Sequence, residues 1–170
     1  MATTTITYRT STAPTVTALN GGISSSATWV AGWTSGTIDN TTNKDVDILI
    51  SGSLVAESSG LSAGEIRVYS YAMLDDSTWP DVFSAGTEGT EGTATIHDTN
   101  ILASNFRLLW ATATDTTASQ VYPFPKTSLA ALYGGVCPAK SAIFVTQSTG
   151  TTLETSGNAI YLQGVYYTTA

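Results

Sequence analysis

The chain has 170 residues, enough for one domain with a proper core, and only 11% of them are charged against 42% apolar. Thr, Ser, Gly and Ala stand where charge usually does, which favours strand over helix, while four Trp, eight Tyr and four Phe argue against disorder beyond the extreme N-terminus. A net charge of −7, with Arg9, Lys44, Arg67, Arg107, Lys126 and Lys140 isolated from one another, argues against nucleic acid, whose binding draws on phosphate neutralisation, and against anionic membrane surfaces.

Residues 2–8 alternate Thr with other residues and are expected to form an extended N-terminal arm or an edge strand, flexible or ordered only by a partner. Residues 1–10 are assigned to this arm and residues 11–170 to a single domain. Gly21-Gly22 and Ser24-Ser25-Ser26 mark a turn, and Trp29, Val30 and Trp33 read as a short strand. The first strong strand covers residues 45–55, with Val46, Ile48 and Ile50 on one side and Gly52 marking a bulge. Over residues 65–73, Ile66, Val68, Ser70 and Ala72 alternate with Arg67, Tyr69, Tyr71 and Met73, a period of two.

Residues 74–93 read mostly as loop. A strand follows over residues 105–114, then a short one over 121–124 that Pro125 ends. Residues 127–133 form one or two helical turns, capped by Ser128 and stopped by Gly134-Gly135. The last two strands, residues 142–147 and 159–167, are expected to pair antiparallel with each other. About eight strands and no crossover helix predict an all-β, antiparallel two-sheet sandwich, jelly-roll-like.

The chain offers little for catalysis. His97 is the only histidine, and its neighbour Asp98 points to the opposite face if both lie on a strand, so the pair cannot serve each other in a Ser–His–Asp arrangement. One Cys and one His fall short of the common zinc sites. Asp75, Asp76 and Asp81 make the densest acidic cluster, but their spacing matches no EF-hand, and solvated turns account for them. Residues 39–43 are explained by Asx turns. Cys137 is the only cysteine, so no internal disulfide is possible, and its place between apolar stretches leads to the expectation of a buried structural thiol. No enzyme activity, metal or cofactor is expected. The candidate contact residues are Thr3, Thr5 and Tyr8 in the arm, with Trp29, Trp33 and Trp79 near turns, where an aromatic either stacks on a partner or caps the core.

The segments Tyr122-Pro123-Phe124-Pro125, residues 128–136, Ile143-Phe144-Val145-Thr146 and Gly164-Val165-Tyr166 resemble small virion proteins encoded with the heads of tailed bacteriophages. Residues 38–43 with Asp47, and 68–76, are similar as well. The resemblance covers most of the chain after the arm and implies a capsid decoration (cement) protein, a jelly-roll-like sandwich bound in many copies to the major capsid protein and neighbouring copies of itself. It carries over no site residues. The expected location is the virion surface after synthesis in the host cytoplasm, since the N-terminus has no basic region followed by an apolar stretch. The alternatives are a carbohydrate-binding or adhesion module, in which exposed Trp would stack on sugar, and a tail or neck structural protein.

Overall fold

Side chains that alternate with a period of two commit most of this chain to strands. The computed structural model describes residues 3–75 and 77–169. Met1, Ala2, Asp76 and Ala170 lie outside them, so the predicted arm is followed from Thr3 onward and the acidic cluster without its middle member. The described chain runs β1 (Thr4–Tyr8), a 3-10 turn (Leu19–Gly21), β2 (Ala31–Thr34), β3 (Ile38–Asp39), β4 (Asp47–Val55), β5 (Gly64–Ala72), β6 (Phe83–Ala85) and β7 (Gly92–Ile96). It continues with α1 (Thr99–Asn105), β8 (Arg107–Thr114), β9 (Val121–Ser128), α2 (Leu129–Leu132), β10 (Lys140–Gln147) and β11 (Ala159–Thr169).

These strands make two antiparallel sheets packed as a sandwich. One has the order β1-β11-β4-β9; the other runs β6-β7-β2-β10-β5-β8, with β3 following β2 along β10. Ile48, Ile50 and Ile160 from the first sheet meet Ile66, Val68, Ile143 and Val145 from the second, and all seven are buried. Each such side chain contributes about 1.5–3 kcal/mol by leaving water. Gly52 sits at the irregularity between β4 and β9, where a Cβ would run into the Ala159 carbonyl and the Phe124 ring.

The second sheet is covered on its other face too. Trp79, Val82, Leu102 of α1 and Phe106 fold over it, and Tyr69, Tyr71 and Phe144 pack there with them and with Phe83 and Ile96 from the sheet's own β6 and β7. The Phe106 ring lies 5.1 Å from Tyr71 and 5.5 Å from Phe144. Burial on both faces explains why seven of the eight residues of β10 are buried.

Several expectations need correction. The described residues of 74–93 are mostly loop, as expected, but two short strands interrupt them, β6 and the start of β7, whose Phe83 and Ala94 are held by the aromatic core. The strand expected from residue 105 begins at Arg107, because residues 99–105 form α1. Trp29 falls outside β2, in a turn with φ 65°. The last two strands do not pair with each other. Both edges of β10 are occupied, by β5 on one side and by β2 and β3 on the other, so β11 crosses to the first sheet and pairs with β1 and β4.

Candidate docking surface

The two ends of the described chain meet in a ribbon. β11 pairs with β4 only as far as Val165 opposite Asp47, whereas its pairing with β1 continues to Thr169 opposite Thr4. Residues 4–7 and 166–169 therefore lie beyond the end of β4 as two strands alone. Thr hydroxyls link them: Thr168 Oγ1 lies 2.9 Å from Thr5 Oγ1 and 3.1 Å from Thr7 Oγ1. An isolated two-stranded ribbon is marginally stable in water. This one is fastened where it joins the sheet. Arg9 donates its backbone N–H to the Gly164 carbonyl and its Nε–H to the buried Asp45 carboxylate, and its guanidinium lies 4.5 Å from the Tyr166 ring centroid.

The ribbon has two distinct faces. Ile6 lies opposite Tyr167 and Tyr8 opposite Val165, so the pleat puts these four on one face, with Tyr161 further along it. Ile160, Leu162 and Gly164 alternate onto the inner side. Ile6, Tyr8 and Tyr167 are each 58% exposed, while Val165 beside them is buried at 8%. Contiguous exposed apolar side chains of this kind mark contact surfaces.

The free edge of β1 is equally distinctive. The Arg9–Gly164 bond sets the phase of the antiparallel ladder: Thr5 and Thr7 direct their backbone groups at β11, while Thr4, Ile6 and Tyr8 direct theirs away from the sheet. Other edges are blunted. Pro123 and Pro125 remove donors from β9, β6 has three residues, and β8 carries Arg107 and faces an irregularity at Val68/Tyr69. From Thr4 to Tyr8 there is no charge, no Pro and no bulge.

The six predicted contact residues divide. Thr3, Thr5 and Tyr8 lie together and exposed at the ribbon. Trp33 is wholly buried, which removes it from any surface contact; its Nε1–H donates to Glu91 Oε1 at 2.8 Å. Trp29 and Trp79 are half-buried around the covered sheet. The Arg67 guanidinium lies 3.8 Å from the Trp29 ring centroid, and Trp79 leans on Tyr71 at 5.3 Å between centroids. Ile6, Tyr161 and Tyr167 were missed; the Ile6-x-Tyr8 step among threonines and the Tyr166-Tyr167 pair were the available signals.

Titratable groups elsewhere are occupied structurally. Asp98 caps α1, accepting from the Asn100 and Ile101 N–H groups, and His97 Nε2 lies 3.4 Å from exposed Asp81. Asp75 accepts from the backbone of Ser77 and Thr78, which holds its carboxyl below the usual range; the Thr41 hydroxyl and N–H do the same for Asp39. Half-buried Cys137 has its thiol pushed up to about 12, first by burial and then by the charges of Asp47 and Asp45, so it is a poor nucleophile at neutral pH. Among the described residues no group of three or more His, Cys, Asp and Glu is placed to hold a metal ion, and no helix is long and apolar enough to cross a membrane.

Comparison with known proteins found no matching family model, no matching curated protein and no matching solved structure.

Proposed function

We propose that this chain is a structural, non-enzymatic virion protein that decorates a tailed-phage capsid and stabilises it by bridging neighbouring capsid subunits. The observation that carries the reading is the terminal ribbon, whose uncovered apolar face of Ile6, Tyr8 and Tyr167 stands clear of the sandwich body. A surface of short hydroxyl side chains loses little rotamer entropy when held permanently against a neighbour, and this chain has few of the long charged ones.

The jelly-roll reading is supported by strand order. β1, β4, β9 and β11 form one sheet and β2, β5, β8 and β10 the matching core of the other, so the chain passes back and forth between sheets. On this reading β6, β7 and α1 are an excursion between β5 and β8. Jelly rolls serve lectins as well as capsids, so the ribbon carries the functional assignment rather than the fold.

The mechanism is energetic. A protein that binds only the expanded, assembled shell shifts the equilibrium toward that shell by mass action. Each bridge then resists separation of the major capsid subunits under pressure from packed DNA. Co-sedimentation with expanded empty capsids tests this. Saturable binding at a fixed ratio to the major capsid protein is expected, with weaker binding by a chain lacking residues 1–8 that still folds. Absence of binding by the full chain would overturn the reading and turn attention to tails and glycans.

A further inference from the structure

We infer that two copies of this chain join edge to edge through β1, antiparallel about a twofold axis at Ile6. The outward backbone groups belong to Thr4, Ile6 and Tyr8, which are spaced symmetrically about Ile6. Setting a second copy antiparallel with Ile6 opposite Ile6 brings Thr4 of each copy opposite Tyr8 of the other. All three outward-facing positions are then used, and each facing pair exchanges two hydrogen bonds. A slip of one residue would instead face them with positions already bonded to β11.

Two further features favour a second copy as the occupant. A strand that pairs with itself sets like residues near one another, so it cannot carry charge without repulsion, and Thr4–Tyr8 carry none. The adjoining Arg9 is already paired with Asp45, and the ribbon stands beyond β4, holding the acidic bodies apart. The join makes one continuous sheet in the order β9-β4-β11-β1-β1-β11-β4-β9 and doubles the apolar face of Ile6, Tyr8 and Tyr167.

Three facing pairs bury less than the roughly 1,200 Å² of a standard stable interface, so the association is weak in solution. On a shell, neighbours held at about millimolar effective concentration would form it readily. The inference thus rests on the reading of the ribbon as a contact surface, but not on the identity of the larger partner.

The test uses the full chain without capsids, so its outcome is independent of the capsid experiment. In a Cys137→Ser background, single cysteines replace Ile6, Thr4 or Tyr8 in turn, and covalent dimers are measured under mild oxidation at rising protein concentration. Facing Cα atoms about 5.5 Å apart suit a disulfide, whereas like positions at residue 4 or 8 would be roughly 13 Å apart. Ile6→Cys is expected to cross-link at least tenfold faster than Thr4→Cys or Tyr8→Cys. Equal rates at the three positions, or none at Ile6→Cys, would overturn the inference. Ile6→Pro supplies a second measurement, because it deletes an outward donor and spares the ladder to β11. It should abolish concentration-dependent sedimentation while leaving the circular dichroism spectrum unchanged; self-association that survives it counts against the β1 edge.

Discussion

The Arg9 Nε lies 2.8 Å from one carboxylate oxygen of Asp45 and 3.1 Å from the other, joining the root of the terminal ribbon to the loop that leads into β4. The Asp45 side chain is 3% exposed and that of Arg9 36%, so an interior carboxylate is matched by a cation reaching in from the surface. Asn40 holds the same residue through its backbone, with its amide group exchanging hydrogen bonds with the Asp45 carbonyl and N–H. Gly164 makes the approach feasible, because a Cβ there would collide with the Asp45 carboxylate.

Replacing Arg9 with Ala is therefore expected to leave a buried carboxylate without its cation. Half of the pair reaches solvent, so the cost should fall at about 1–3 kcal/mol rather than at the higher values of fully buried pairs. Lys at this position should recover only part of the loss, since it lacks the planar fork. Urea unfolding gives the stability change. Amide exchange at Thr5 and Thr7, which face β11, should accelerate in the same variant. An unchanged midpoint would mean that backbone pairing alone fastens the ribbon.

Glu91 offers a cleaner separation of charge from hydrogen bonding. Its Oε1 accepts from Trp33 Nε1 at 2.8 Å and from the Ala18 N–H at 2.7 Å. Glu91→Ala orphans both donors and is expected to cost about 2–4 kcal/mol, whereas Glu91→Gln keeps a carbonyl acceptor and should cost less than about 1 kcal/mol. Thermal unfolding of the two variants distinguishes them. Equal losses would show that the carboxylate charge matters here more than its acceptor geometry.

Tyr71 predicts a specific alkaline weakness. Burial pushes its phenol up to about 12, and its hydroxyl is engaged by Thr34 Oγ1 at 2.7 Å and by the Gly89 N–H at 3.0 Å. The folded pKa is raised above the unfolded value near 10, so the native state holds the proton where the unfolded chain releases it. This stabilising contribution is complete below about pH 10 and is lost as pH rises toward about 12, for a total of about 2–3 kcal/mol. Tyr71→Phe should be less stable than the parent at neutral pH, because Gly89 loses its acceptor, yet the gap should close above about pH 10. Denaturant titrations across that range check the crossover; parallel curves would refute it.

Local chemistry was legible at several points, although β9 runs through Pro125 to Ser128 where Pro125 was expected to end it. Ser128 caps α2 as expected, accepting from the Ala131 N–H, and the strand expected over residues 65–73 is β5 displaced by one residue. The irregularity at Gly52 was also readable from its place in an apolar run. Helix α1 was not, because Thr99, Asn100 and Asn105 are weak helix formers; its Asp98 cap and the packing of Leu102 hold it together. Trp33 was unreadable in another way. Its place near a turn left open whether it stacks on a partner or caps the core; β7 and β10 flank its strand, and Glu91 reaches across to satisfy its indole.

The sequence by itself determined the all-β class, the alternation within each main strand and the short capped helix, because rotamer preference, pleat and capping act over a few residues. Only the tertiary structure decided that β10 and β11 separate into different sheets, that α1 and the loops beside it cover one sheet, and that Ile6, Tyr8 and Tyr167 remain bare on the other. Those outcomes depend on hydrogen bonds and apolar contacts between segments far apart in the chain. A strand records which side chains share a face, but whether that face is buried is settled by whatever else the chain brings to it.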